Sequence, residues 1–315
     1  MAINVDSTFP YLSRRGFILA GGAALTAVSA FPADPACTLF TEQEEGPYYV
    51  DDETLRSNVT EGKLGVPIQL AVMLVDSRTC KPLSDAALDI WHCDATGVYS
   101  GFTAMNPDGP PGGGPGGPGG PGRRGPGGPG GPPPDFAGGP GGPPPGSFGR
   151  GGFGPGGPGG RGERKIDPTR FLRGVQLTDA KGRAEFSTIY PGWYSGRAIH
   201  IHVKAHVGGS AAAKYSGGHV AHTGQFFFPE DLTERVARLE PYAKRLAVHR
   251  TTQEEDDIFQ HQHGAEGMLR MERLGKTDAE GFRATITVAI NPEAIPEPVQ
   301  GGPGRGRSGP PPGRA

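Results

Sequence analysis

Short runs of mostly apolar residues, bounded by turn-forming residues, recur along the chain and predict extended strands. Residues 66–75 (VPIQLAVMLV) and 86–92 (AALDIWH) are two such stretches. The turn-forming residues 76–85 between them predict a hairpin with a long loop. Further strands are expected at 175–177, 184–189, 198–205, 224–228 and 283–290, with a tight turn at 179–182. One helix is expected at 231–239, opened by Pro229, Glu230 and Asp231. Many short strands with few helices predict a mainly β fold, a β-sandwich-like core or a related barrel.

Composition divides the chain further. Of its 315 residues, 55 are glycine and 34 proline, and most of these fall in residues 106–162 and in the tail 299–315. These stretches hold almost no apolar side chains, so they cannot offset their ordering entropy and are expected to be disordered. The Gly/Pro units slip out of the three-residue frame of a collagen. What remains is one domain over 37–298, interrupted by the insert. Residues 1–30 form a separate segment: Arg14 and Arg15 precede Phe17 and a modest apolar run, and Val28, Ser29 and Ala30 supply small residues for cleavage. This resembles a twin-arginine (Tat) export signal, so a periplasmic or extracellular location is expected. The apolar run is shorter than the ~20 residues that span a bilayer, and no stable membrane insertion is expected after cleavage. A formal net charge of −2 gives no electrostatic reason to expect nucleic acid as a partner.

Candidate chemistry gathers in residues 188–203. His200 and His202 are two apart on an expected strand, so both imidazoles project from one face and can share a metal. Neutral imidazole suits Fe, Cu, Zn or Ni, and the other ligands decide among them. His206 is in phase but falls beyond the expected strand end, while His219 and His222 fall in an expected loop. Tyrosines lie closer: Tyr194 in the turn before the His strand and Tyr99 after an earlier strand. A phenol ordinarily ionises near pH ~10, so a phenolate at neutral pH needs a hard, highly charged cation beside it. Ferric iron meets that need.

Four blocks extend this reading: residues 45–51 (EGPYYVD), 90–101 (IWHCDATGVYSG), 171–179 (FLRGVQLTD) and 190–202 (YPGWYSGRAIHIH). Together and in this order they resemble the intradiol ring-cleavage dioxygenases, the group of catechol, hydroxyquinol and protocatechuate dioxygenases. The resemblance implies a non-haem Fe(III) held by Tyr99, Tyr194, His200 and His202, with a solvent hydroxide as fifth ligand. It implies a reaction in which both atoms of O2 enter a catechol-type diol and the ring opens between the hydroxylated carbons to a muconate-type product. Arg197 matches the family's arginine over the substrate ring, and Gln225 the glutamine beside it. Pro47 and Tyr48 match a segment bordering the substrate pocket, and Tyr194 is also a catalytic candidate. The implied partners are a small aromatic diol and O2. A homodimer is left open, because the helical linker many relatives use for dimerisation has no counterpart here.

Two alternatives use the same residues. One is a non-catalytic exported β-sandwich binding module, and the other a zinc hydrolase built on His200 and His202. Of the three cysteines, Cys80 and Cys93 flank the expected hairpin and are candidates for a bridge. Trp91 and Trp193 are expected in the core.

Overall fold

The computed structural model describes residues 37–52, 54–108 and 166–299. The segment expected to be an export signal, most of the Gly/Pro-rich insert and the tail from 300 lie outside the described residues. Eight strands form two four-stranded sheets, and the protein is mainly β. Strands β1 (Pro67–Asp76), β4 (Arg183–Ile189), β7 (Arg270–Arg273) and β8 (Phe282–Ile290) make one sheet in the order β4-β1-β8-β7. Strands β2 (Ala87–Trp91), β3 (Arg173–Leu177), β5 (His200–Ala211) and β6 (Tyr215–Phe227) make the other, ordered β3-β2-β5-β6. The β1–β8 pairing is parallel and the remaining strand pairs are antiparallel. Two short helices, α1 (Glu230–Val236) and α2 (Asp257–His261), follow β6.

The alternation along the strands explains the layering. In β1, Ile68, Leu70, Val72 and Leu74 are buried in the main core, as are Phe186 of β4 and Phe282, Ile286 and Val288 of β8. From the other sheet Leu88, Ile90, Ile201, Val203 and Phe226 join the same cluster. Burying a side chain of this size contributes roughly 1.5–3 kcal/mol, so the interleaved faces supply most of the drive to form the sandwich. His92, at the end of β2, adds a polar tie between layers. Its two ring nitrogens meet the Cys93 carbonyl at 2.7 Å and the Thr188 hydroxyl at 2.7 Å. Burial pushes the imidazole down to about 4, so it sits there neutral.

Several expectations change here. Residues 66–75 and 86–92 are strands, but they do not pair as a hairpin; the connection crosses from one sheet to the other. The turn at 179–182 forms, with Gly182 N–H donating to the Asp179 carbonyl at 2.8 Å, and it too crosses between sheets. The His strand runs on to Ala211, and its partner begins at Tyr215 rather than at 224. His206 therefore lies on β5, buried against the Tyr215 ring, and His219 and His222 lie on β6 rather than in a loop. Glycines 208, 209, 217 and 218 gave this hairpin the look of a turn. The helix at 231–239 is shorter than expected, ending at Val236.

The cysteine pairing also differs. Cys80 bonds to Cys37, with Cα atoms 5.5 Å apart, and Cys93 is a buried free thiol. Cys80 lies in an exposed turn after β1, whereas Cys93 packs with Val50, Trp91, Tyr99 and Phe102. Its Sγ donates to the Gly192 carbonyl. Among the described residues, no helix is long and apolar enough to cross a membrane.

Candidate active site

His200 and His202 occupy the face of β5 that points away from the main core, and both are almost fully buried. What covers them is the lead-in segment 37–52 together with two loops. The first loop, after β2, is shaped by Asp94, whose Oδ1 accepts from the Thr96 and Val98 N–H groups and the Thr96 hydroxyl. Burial alone would raise the Asp94 pKa; the Lys63 ammonium and these donors outweigh it and hold the carboxyl below the usual range. Gly97 in this loop has φ +83°, and a Cβ there would stand 2.3 Å from the Trp193 carbonyl oxygen. The loop therefore docks backbone to backbone on the second loop, which carries Tyr194, and Gly192 N–H donates to the Asp94 carbonyl. The two tyrosines are held together by this contact.

Four polar atoms converge as a result. His200 Nε2 is 3.0 Å from His202 Nε2, 3.3 Å from Tyr194 Oη and 3.5 Å from Tyr99 Oη. His200 Nδ1 lies 2.6 Å from the Ala198 carbonyl, an acceptor, so that nitrogen carries the proton and the Nε2 lone pair faces the other three atoms. His202 is held differently. Its ring stacks on Trp91 at 4.8 Å with planes 2° apart, and its buried Nδ1 has no hydrogen-bond partner among the described residues. Burial, then the Arg197 charge, pushes His200 down to about 3; burial, then His200, pushes His202 well below its ordinary value. Burial likewise raises both tyrosines, Tyr99 well above the usual phenol range. Two neutral imidazoles and two phenols thus crowd a dry site with their lone pairs turned inward. This donor set fits a hard trivalent cation, which would reverse the cost of ionising the phenols. Among the described residues, no cluster of three or more His, Cys, Asp and Glu can hold a metal. The donor set needs the phenols.

Arg197 stands beside this cluster and is tightly held. Its Nε donates to both Asp256 oxygens at 3.1 Å, and its Nη2 donates to Gln225 Oε1. Asp256 is fully buried and also accepts from Ala198 N–H at 2.8 Å and from Ile258 and Phe259 N–H, capping α2. One carboxylate therefore fixes the guanidinium, the backbone entering the His strand and the start of a helix. Asp256 and α2 were absent from the sequence reading; an Asp three residues before Phe259 is a helix-start signal, but nothing local ties it to Arg197.

The lead-in closes the site. Gln225 N–H donates to Gln43 Oε1, and Gln225 Nε2 donates to the Glu44 carbonyl. Gly46, at φ +73°, passes so close that a Cβ would lie 3.1 Å from His202 Cε1. Tyr48 then stacks on Tyr99 at 4.4 Å and meets Tyr194 edge-on at 6.1 Å, with Pro47 between Gly46 and that ring. Every residue expected at the site is brought to this place. Trp91 is a buried core aromatic, as expected, whose ring also supports His202, and Trp193 is in the main core and donates to the Val248 carbonyl.

No family model and no curated protein sequence matches the chain. Solved structures do. An intradiol ring-cleavage dioxygenase from Tetranychus urticae superposes with a TM-score of 0.59 at 27% identity, over 83% of this chain and 98% of its own. A second solved dioxygenase gives 0.57 at 27% identity, over 82% and 98%. The chain has the intradiol ring-cleavage dioxygenase fold. Nearly the whole length of each of these two structures is represented in this chain.

Proposed function

We propose that this protein is a non-haem Fe(III)-dependent intradiol dioxygenase that inserts both atoms of O2 into a catechol-type diol and opens the ring between the hydroxylated carbons to a muconate-type product. The observation that carries this reading is the convergence of His202 Nε2 and two phenol oxygens within 3.5 Å of His200 Nε2 in a buried site. Tyr99, Tyr194, His200 and His202 would hold the metal. Bound ferric iron would supply the charge that ionises the phenols and draws electron density from the diol toward O2.

The chain's own groups have distinct tasks. His200 is set in one tautomer by the Ala198 carbonyl, and His202 is set in one plane by Trp91. Tyr194 Oη, once ionised, takes a proton from the second diol hydroxyl. Arg197, fixed by Asp256 and Gln225, stabilises the negative charge that grows on the diol oxygens; because its direction is set beforehand, no reorganisation is needed during reaction. Tyr48 walls the ring plane, and the aromatic lining keeps water out.

We also propose that the protein acts outside the cytoplasm. The Cys37–Cys80 bond suits an oxidising compartment, in keeping with the paired arginines near the N-terminus. The decisive measurement is the visible spectrum of the iron-loaded protein, taken without oxygen before and after catechol. A broad phenolate-to-iron band that moves to longer wavelength with catechol is the expected result. A colourless protein after iron loading would leave the fold as a binding module or a zinc site.

A further inference from the structure

Three charged groups meet at the rim of the site, and their sum is negative. The Arg197 guanidinium is gripped by Asp256 on one side, and its Nη1 lies 3.6 Å from Glu44 Oε1 on another. One cation thus faces two carboxylates. They differ in access: the Asp256 side chain is 0% exposed, sealed by its backbone donors, whereas that of Glu44 keeps 16%. Glu44 sits two residues before the Gly46 backbone that brushes His202, and its own carbonyl accepts from Gln225. Of the two carboxylates it is the one open to a molecule that approaches Arg197.

The other cations on this wall are already matched. Lys204 pairs with Glu45 and lies over the Tyr49 ring at 3.4 Å. Arg173 is buried and donates to Ser100 Oγ, the Ser100 carbonyl and the Tyr48 carbonyl. Lys63 pairs with Asp94, and Arg245 with Asp108. Among the described residues around the site, each cation is thus committed before a substrate arrives. A ring carboxylate entering here would gain no ion pair and would approach Glu44 at close range in a partly dry setting, where like charges repel strongly.

We propose that Glu44 is a specificity-determining residue of this site, which admits uncharged aromatic diols and turns away diols bearing a ring carboxylate. The assignment rests on the ring-cleavage reading above and narrows its substrate class.

The test is anaerobic calorimetric titration of the iron-loaded protein with catechol and with 3,4-dihydroxybenzoate, for wild type, Glu44→Gln and Glu44→Ala, with product formation followed in parallel. Wild type should bind catechol at least about tenfold more tightly than the carboxylated diol, the order expected of one partly screened like charge. Both variants should narrow that ratio by about tenfold, mainly by tightening the carboxylated diol. Equal affinities in wild type would overturn the assignment, and so would a ratio that neither variant moves. A ratio that shifts as expected while no ring-opened product forms would sustain the role of Glu44 in selection and sink the ring-cleavage reading.

Discussion

On the sheet β4-β1-β8-β7 the polar or long side chains facing away from the core, Gln69, Met73, Arg183, Glu185 and Arg283, are exposed or half-buried, and the buried positions on that face, Ala71, Val75, Thr285 and Ala289, carry small side chains. On the sheet β3-β2-β5-β6 the corresponding positions hold Asp89, Arg173, His200, His202, Lys204 and Gln225, all buried. The inner faces are alike, both apolar and interleaved in one core. The difference lies in what covers the outer face: water on one sheet, and on the other the lead-in segment and the Tyr99 and Tyr194 loops. A polar side chain buried there has to find partners, since leaving it unpaired costs about 1–3 kcal/mol. That requirement turns a covered sheet face into a place where directional chemistry can be built, while the open sheet stabilises the frame.

The sharpest way to break this comparison is to strip one donor from the covered face. His202→Ala should abolish iron retention and turnover while the melting temperature moves by only a few degrees, because the ring lies outside the main core; metal analysis beside thermal unfolding checks both. A collapse of the fold would show that the covered face is itself part of the frame. The reciprocal change on the open sheet is Leu70→Ala. It should cost about 2–5 kcal/mol of unfolding free energy by denaturant titration, yet leave the visible band of the iron-loaded protein in place. A shifted band would mean that the sheets are not separable in function.

A smaller effect sharpens the picture inside the covered face. Asp256→Asn keeps an oxygen for capping α2 but removes the charge that orients Arg197. A fall in kcat of about ten- to a hundredfold is expected, with KM changing less and the spectrum unchanged. A moved band would place the influence of Asp256 on the histidine strand through Ala198 instead of on Arg197.

The same contrast explains what could be read from the amino-acid order. Strands β1, β4 and β8 were legible because one face meets water, so Ile68, Leu70, Val72 and Leu74 alternate with lesser-buried neighbours. The start of β5 was legible through its chemistry, His200 and His202 sharing a face. Its far end was not, since Gly209 pairs across to Gly217 and the hairpin closes only at Ala211 and Tyr215. Strand β7, with the sequence RMER, has no apolar run to betray it, and helix α2 is too short for a period. The Tyr99, Tyr194 and His pairs were found because they lie within recurring blocks. Asp256 lies 59 residues from Arg197, and no local spacing connects them. The cysteine partner of Cys80 depended on which layer each strand entered, a tertiary fact that loop length does not encode.

The lead-in over the site is fastened at intervals along its length. Cys37 is bonded to Cys80, Phe40 N–H donates to the Ala289 carbonyl, Gln43 Nε2 donates to the Gln262 carbonyl, and Thr54 bridges to Lys214. Between these anchors runs a strap of about a dozen residues that supplies Glu44, Gly46 and Tyr48 without belonging to either sheet. On the reading proposed above, such a strap is a cassette: its sequence could be exchanged to alter which molecules enter while Tyr99, Tyr194, His200 and His202, carried elsewhere, stay untouched. Selectivity and reactivity would thereby rest on separate pieces of chain, each open to change without the other.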